Sequence, residues 1–486
     1  MIVQSDARAA ASAAQANHYT YRLGYIWMIS FVAALGGLLF GYDWVVVGGA
    51  KPFYEPFFHL TTQAMIGWAN SCALLGCLLG SACSGVLMDR YGRKKLLVAA
   101  AVIFAVSSVG TGWAGSFGLF VFWRIAGGIG IGVASNVSPT YIAEVAPAQW
   151  RGRLVTLNQL TLVIGILAAQ IVNLLIAGDI PAAATAEQIR QSWQGQFGWR
   201  WMFTAVALPS LVFLALALWV PESPRWLLKM GRTKQAAEVL EKIGGQAYAR
   251  DEIADVAATA ARDSSEDGKG AAWTELLRPG VLGVVMMGIA LAVLQQWSGT
   301  NVIFNYAEEI YRSAGYDLSG VMFNIVITGV INLVFTLVAT AFVDRLGRRA
   351  LMLWGTAGIA VLHALLGGAF RFGVTGPTVL GLTLGVIALY AMSLAPVTWV
   401  LLSEIFPNRI RGLAMSVAVS ALWIACFLVT YTFPILNHRL GAAGTFWIYA
   451  VICFVGFVFI WRFIPETKGK TLEQIEEQLT RRRRAS

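Results

Sequence analysis

Long apolar stretches separated by short polar ones make up most of the chain. A helix that crosses a bilayer core of about 30 Å needs roughly 20 mostly apolar residues. Twelve such stretches follow one another, at residues 25–48, 65–88, 96–117, 119–143, 154–177, 200–220, 280–305, 319–343, 350–371, 378–403, 412–436 and 443–464. The pattern predicts an all-α membrane protein with twelve transmembrane helices.

Composition and charge agree with this prediction and orient the helices. Only 13% of the residues are charged, about half the share that a soluble protein carries. If the N-terminus is cytoplasmic, the inside segments hold 29 of the 36 lysines and arginines and the outside segments hold six. This bias predicts that both termini lie in the cytoplasm. The basic residues of the inside segments also account for the net charge of +10, so a nucleic acid partner is not needed to explain it. The expected location is the inner or plasma membrane.

Three paired motifs indicate a duplication. The sequence DRYGRK at 89–94 returns as DRLGRR at 344–349, and Pro-Glu at 221–222 returns at 465–466. A glutamate seven residues before an Arg-Gly pair follows both the fourth and the tenth stretch. We therefore expect two homologous six-helix bundles, 25–220 and 279–464, with linker helices over 221–278 and a tail over 465–486. Facing bundles of this kind are typical of transporters that bind solute between the halves.

The charges of these motifs have two interpretations. Loops on the cytoplasmic side need basic residues in any order, whereas an ordered acid–base pattern that occurs twice favours salt bridges. We expect a cytoplasmic latch that joins the halves in one state and parts in the other. Its candidates are Asp89, Arg90, Arg93, Glu144 and Arg151, with their counterparts Asp344, Arg345, Arg348, Glu404 and Arg411.

Over residues 25–477 the chain resembles the sugar porters of the major facilitator superfamily. The resemblance rests on GYD (41–43), GVLMDRYGRKK (85–95), WRIAGGIGIG (123–132), PTYIAEVAPAQWRG (139–152), NQL (158–160), PESPRWLL (221–228), QQWSGTN (295–301), GVIN (329–332), VDRLGRR (343–349), PVTWVLLSEIFPNRIRG (396–412) and PETKGKTLEQIEE (465–477). DRxGRR marks the superfamily, and the PESPRW and PETKGKTLE motifs together are specific to sugar porters. The resemblance implies a major facilitator fold and transport of a monosaccharide, and it is strongest to bacterial sugar–proton symporters.

Two charges lie inside apolar stretches, Asp43 in the first and Arg124 in the fourth. A charge at the bilayer centre costs about 2.5–3.5 kcal/mol even on the gentler scales, so such residues usually face a cavity or a partner. The two side chains could form a static ion pair or a proton switch. The resemblance favours the switch, because proton-coupled members carry an acid after Gly-Tyr where facilitative animal relatives typically carry Asn.

Amide and aromatic side chains within the stretches are candidates for sugar binding. Amides donate and accept hydrogen bonds, which suits a neutral polyhydroxyl solute, although singly each could equally join helices. The adjacent Gln295 and Gln296 can face one site only if their helix is broken, and Gly299 would allow that break. The resemblance places the following residues at the sugar site: Gln159, Gln295, Gln296, Asn301, Asn332, Trp399, Phe40 and Trp423.

Ile166, Asn305 and Leu422 depart from the pattern of the xylose-carrying members, which leaves the particular sugar open. The four histidines are scattered, and no phosphate loop or metal-ligand spacing is present, so no cofactor, metal or enzymatic activity is expected. We expect a proton-coupled monosaccharide importer that works by alternating access as a monomer. A facilitative uniporter and a non-transporting sugar sensor remain as alternatives.

Overall fold

The computed structural model describes residues 19–178, 185–265, 273–406 and 410–468. The regular elements of these ranges are all helices. They are α1 (Leu23–Phe57), α2 (Gln63–Tyr91), α3 (Arg93–Gly112), α4 (Phe117–Val145), α5 (Ala148–Ala177), α6 (Ala186–Gln191), a π-helical turn (Gln194–Gly198), α7 (Trp199–Thr204), α8 (Ala207–Trp219), α9 (Pro224–Lys229), α10 (Thr233–Ser265), α11 (Trp273–Leu276), α12 (Pro279–Trp297), α13 (Thr300–Asn305), α14 (Ala307–Ser313), α15 (Leu318–Leu346), α16 (Arg348–Arg371), α17 (Pro377–Met392), α18 (Leu394–Ile405) and α19 (Arg411–Phe463).

Each of the twelve predicted stretches lies on a helix, which confirms the expected fold class. Eleven helical runs of the described chain are long and apolar enough to cross a membrane. The last run, α19, contains two of the predicted stretches, because Gly441 (φ 68°, ψ 172°) interrupts its helical backbone. Helices suit this environment because they satisfy their own backbone hydrogen bonds where water is absent.

Two of the spans are interrupted near their middle. The seventh is split at Gly299, which adopts a left-handed conformation (φ 84°) between α12 and α13. This is the break expected from the adjacent glutamines. The tenth is split at Ser393 (φ −125°, ψ −84°) between α17 and α18, a break that the sequence analysis did not foresee. Both breaks free backbone groups within the bundle.

Following the predicted bundles, we divide the helices into two groups, α1–α8 and α12–α19, with α9, α10 and α11 between them. Within the first group α2 packs closely on α4, where a Cβ on Gly128 would lie 1.9 Å from the carbonyl oxygen of Ala73. Between the groups, α2 contacts α19 and α5 contacts α15. We call the end of the bundle that carries Gly92, Gly347, α9 and α10 the motif side, and the opposite end the far side. Residues 266–272 and 469–486, parts of the predicted linker and tail, lie outside the described ranges.

Candidate functional site

Asp43 and Arg124 form an ion pair inside the first group of helices. One terminal guanidinium nitrogen of Arg124 (Nη1) lies 3.1 and 3.0 Å from the two carboxylate oxygens of Asp43. Both side chains are almost fully buried. Arg124 also lies over the ring of Phe203, 5.4 Å from its centroid. The pairing suggested by the sequence is therefore present, and its role in proton coupling stays a prediction.

A chain of amide hydrogen bonds crosses the break in the seventh span. Asn301 Nδ2, on α13, donates to Gln296 Oε1. Gln296 Nε2 in turn donates to Gln295 Oε1 at 3.3 Å, and Gln295 Nε2 donates to the carbonyl oxygens of Leu394 and Ala395 at 3.2 and 3.3 Å. The chain thus runs from α13 through α12 to the start of α18, and it joins the two interrupted spans.

Aromatic side chains from both groups meet beside this chain. The rings of Phe40, on α1, and Trp423, on α19, lie 5.8 Å apart. The indole N–H of Trp423 is buried without a hydrogen-bond partner among the described residues. Asn301 Nδ2 approaches the sulfur of Cys426, one turn after Trp423, at 3.8 Å. Phe40 and Trp423 are therefore brought to the same region as Asn301.

The other predicted sugar-site residues are not hydrogen-bonded to that cluster. Gln159 is half-buried on α5 and Asn332 is buried on α15. Within the described ranges neither side chain makes a hydrogen bond, so their amides are free to bind a ligand. Trp399, on α18, is 39% exposed. The sequence prediction for these three residues stays untested.

Among the three departures from the xylose-carrying members, Asn305 is the most informative. Its side chain is buried, and its Oδ1 has no partner in the described part of the chain. The neighbouring Tyr306 donates its hydroxyl to the carbonyl oxygen of Thr430 at 2.6 Å and packs on Phe433 with ring centroids 4.7 Å apart. Tyr306 thereby joins the junction of α13 and α14 to α19, within the second group of helices.

A cluster of five charges joins the two groups on the far side. Lys51, on α1, contacts Glu309 and lies 3.2 Å from Glu308, both on α14. It also lies 3.3 Å from Glu55, one turn along its own helix, and Arg312 lies 3.2 Å from Glu308. The lysine side chain is only 3% exposed. We call these five residues the far-side cluster. The contacts of Lys51 with α14 were not predictable from the sequence, because Glu308 and Glu309 lie more than 250 positions away.

On the motif side, the glutamates of the two Pro-Glu motifs cap helices of the two DRxGR turns. Glu222 accepts hydrogen bonds from the backbone N–H groups of Arg93 and Lys94, at 2.8 to 3.2 Å, at the start of α3. Glu466 accepts the equivalent bonds from Arg348 and Arg349, at 3.0 and 3.2 Å, at the start of α16. A carboxylate is stabilised there by the helix dipole and by the unpaired N–H groups.

A glycine is required in each of these turns. Gly92 and Gly347 have φ values of 89° and 88°, a region that other residues rarely adopt. A Cβ on Gly92 would lie 2.2 Å from the carboxylate of Glu222, and one on Gly347 would lie 2.7 Å from that of Glu466. The duplicated sequence motifs therefore form two copies of one structural unit.

The latch candidates pair within each half in this conformation. Arg93 lies 2.8 Å from Glu144, and Arg348 lies 3.4 Å from Glu404. Asp89 is exposed and lies 3.1 Å from Lys229. Among the remaining candidates, Arg151 and Arg411 donate to backbone carbonyl groups, and Arg90 lies over the ring of Tyr91. The side chains of Asp344 and Arg345 lie outside the described part of the structure. A latch that joins the halves stays a prediction for another conformation.

Known proteins show the same architecture and sequence pattern. The profile of the family described as "Sugar (and other) transporter" matches residues 29–479. The D-xylose-proton symporter of Escherichia coli K12 is 39% identical, over 94% of this chain and 96% of its own. The glucose transport protein of a Synechocystis strain is 41% identical, over 94% and 98%. The chain therefore belongs to the sugar transporter family, the sugar porters of the major facilitator superfamily.

One solved structure is particularly similar to this conformation. The inward open conformation of the xylose transporter XylE from E. coli matches with a TM-score of 0.80 and 38% identity, covering 93% of this chain and 99% of that one. XylE is a major facilitator transporter with twelve helices, in agreement with the all-helical fold described above.

Proposed function

We propose that the protein is a secondary active transporter that imports a monosaccharide together with a proton by alternating access. The observation that carries the proposal is the buried Asp43–Arg124 pair. Within a sugar porter it supplies a buried acid that can gain and lose a proton in the membrane beside a fixed positive charge. The named symporter among its relatives, 39% identical, supports the same conclusion.

The proton step follows from the geometry of that pair. When Asp43 is ionised, it holds Arg124 through two contacts of about 3 Å. Protonation removes the negative charge and weakens these contacts, so α1 and α4 are less tightly joined. We propose that this loosening permits the two bundles, 25–220 and 279–464, to move relative to each other. Release of the proton on the other side of the membrane restores the pair.

The sugar step uses the amide chain and its aromatic neighbours. Gln295, Gln296 and Asn301 hydrogen-bond to one another, and the same amide groups can instead bond to the hydroxyl groups of a ligand. Gln159 and Asn332 have spare donors and acceptors, and the indole face of Trp399 or Trp423 can cover the apolar face of a sugar ring. The site suits a neutral monosaccharide, because within the cluster itself amides and indoles predominate and the charged pair lies elsewhere.

The far-side cluster and the motif-side charges fit the two gates of alternating access. In this conformation Lys51 holds the halves together on the far side, whereas the described motif-side pairs lie within each half. We propose that the far side is extracellular, that both termini are cytoplasmic, and that the protein works as a monomer in the inner or plasma membrane. The motif-side latch would form when the far side opens.

A transport assay in proteoliposomes tests the coupling. With D-xylose and D-glucose as probes and an imposed pH gradient, acidic outside, the wild type should accumulate sugar above its equilibrium level, and a protonophore should abolish the accumulation. Asp43→Asn should equilibrate sugar without accumulating it. Asp317→Asn is the matched control, because Asp317 caps α15 and Asn caps a helix equally well.

Each of the other outcomes indicates a different function. If Asp43→Asn accumulates sugar as well as the wild type, Asp43 does not couple the proton. If the wild type only equilibrates sugar under the gradient, the protein is a facilitative uniporter. Binding without uptake or counterflow would indicate a sugar sensor.

A further inference from the structure

The break in the seventh span leaves a backbone carbonyl group that needs a partner. α12 ends at Trp297 and α13 begins at Thr300, so the carbonyl oxygen of Ser298 has no place in a regular helix. Ser298 is completely buried, and an unpaired carbonyl group in a bilayer core is costly. Its hydroxyl group already donates to the carbonyl oxygen of Gln295 at 2.9 Å. The Ser298 carbonyl must therefore find a donor from another helix.

His363 supplies that donor. Its Nε2 lies 2.8 Å from the carbonyl oxygen of Ser298, and the side chain, on α16, is completely buried. A carbonyl oxygen only accepts hydrogen bonds, so Nε2 carries the proton. Nδ1 has no partner among the described residues. Aromatic contacts also hold the ring, which stacks on Phe446 with ring centroids 5.6 Å apart and contacts the ring of Tyr449.

The same histidine sits directly against the glycine of the break. A Cβ on Gly299 would lie 2.8 Å from His363 Nε2 and 3.0 Å from the ring of Tyr449. The sulfur of Cys453 is a second, weaker neighbour of the Ser298 carbonyl oxygen at 3.7 Å. The backbone at 298–299 is thus held by a strong hydrogen bond on one side and by tight contacts around it.

The break decides how the two sides of the amide chain meet. Gln296 precedes it and Asn301 follows it, yet the two side chains are hydrogen-bonded to each other. A change in the angle between α12 and α13 would separate them. We propose that His363 is a positioning residue of the sugar site: its Nε2–H bond to Ser298 fixes the break and thereby the spacing of Gln296 and Asn301. The inference rests on the proposed sugar-binding function of these amides.

Paired variants separate the hydrogen bond from simple packing. His363→Met keeps an apolar side chain of similar size without a donor, whereas His363→Gln keeps an N–H group. With D-xylose and D-glucose as probes, His363→Met should raise KM roughly threefold to tenfold, the effect of one neutral hydrogen bond. His363→Gln should restore most of the loss. The ratio of protons to sugars should be unchanged in both, because Asp43 and Arg124 are not touched.

Two results would overturn the inference without touching the proposed function. One is an equal KM for His363→Met and His363→Gln, which would leave only a packing role. The other is wild-type KM in His363→Met while Gln296→Ala raises KM. If the wild type shows no saturable sugar uptake at all, the proposed function fails instead.

A measurement on the unmodified protein covers the case in which His363→Met does not fold. The chain has four histidines, so ¹⁵N-histidine labelling gives a small set of signals, and the signal missing from His363→Gln identifies His363. We expect a neutral ring with the proton on Nε2. A neutral ring with its single proton on Nδ1 would contradict the bond to Ser298.

Discussion

Removal of the Lys51 charge should open the far side of the protein. Lys51→Met keeps the length of the side chain and deletes the ammonium group that contacts Glu308 and Glu309. The carboxylates would then face one another across the two halves, because Glu55 projects from the same helix as Lys51 and the other two from α14. Loss of attraction and gain of repulsion both favour separation on the far side.

The size of the change in the equilibrium between the far-side-open and far-side-closed states depends on which contacts Lys51 loses when the halves separate. At 3.2 Å and an effective dielectric constant of about 20, one ion pair has a Coulomb energy of about 5 kcal/mol, and desolvation offsets much of it. The ion pair with Glu55 lies within α1 and survives the opening. The two contacts with Glu308 and Glu309 are the part that differs between the two states. After desolvation, we take their net contribution as that of about one charged hydrogen bond, some 1.5–3 kcal/mol. That corresponds to an increase of about tenfold to hundredfold in the ratio of far-side-open to far-side-closed molecules.

Spin labels on the far side would measure this ratio. Thr61, in the first half, and Phe372, in the second, are both exposed, so cysteines at these positions should tolerate labels. The exposed Cys83 is replaced by serine to avoid a third label. Lys51→Met should enlarge the long-distance population in a dipolar distance measurement, and Lys51→Arg should stay close to the wild type. If Lys51→Met leaves the distances unchanged or shortens them, Lys51 does not hold the halves together.

Three further predictions concern the proposed sugar site, Tyr306 and the motif side. Gln296→Ala should raise KM for the transported sugar by about tenfold, since it interrupts the amide chain and removes a polar ligand; an unchanged KM would place the site elsewhere. Tyr306→Phe loses the 2.6 Å bond to Thr430, which lies within the second half, so it should lower the stability of the detergent-solubilised protein by about 1 kcal/mol in thermal unfolding and leave the far-side distances of the spin-label assay unchanged. Glu222→Ala should lower the stability of the detergent-solubilised protein by about 1–2 kcal/mol, because α3 loses its cap; thermal unfolding with Glu238→Ala as an exposed control would show it.

The sequence was most informative where the physical signal is local. Residence in a bilayer requires about 20 apolar residues in a row, so helix number and type could be predicted before any contact was known. A break at Gly299 was also expected from the sequence, although Gln295 and Gln296 both precede it on the intact α12 and the break instead turns Asn301 toward Gln296. The duplicated turns were also recognisable because each is a short local motif that occurs twice in the sequence.

Apart from the Asp43–Arg124 pair, contacts between distant segments were beyond such reasoning. The latch candidates were correctly seen as charged and repeated, but the structure pairs Arg93 with Glu144 and Arg348 with Glu404 within each half, where the sequence alone suggested a link between the halves. The break at Ser393 was missed because its neighbours Met392 and Leu394 continue the apolar pattern. Glu222 and Glu466 were noted as repeats, yet their role as caps depends on the fold.

Sequence alone determined that this chain is a twelve-span sugar porter with two charges and several amides inside its apolar helices. Only the tertiary structure decided which other groups meet: that Asn301 binds Gln296 across a break, that Lys51 reaches Glu308, and that His363 donates to the carbonyl oxygen of Ser298. The reason is physical. Burial in lipid acts on each segment separately and leaves a record along the chain, whereas hydrogen bonds and ion pairs depend on distances of about 3 Å between helices, most of them separated in the sequence by tens to hundreds of residues.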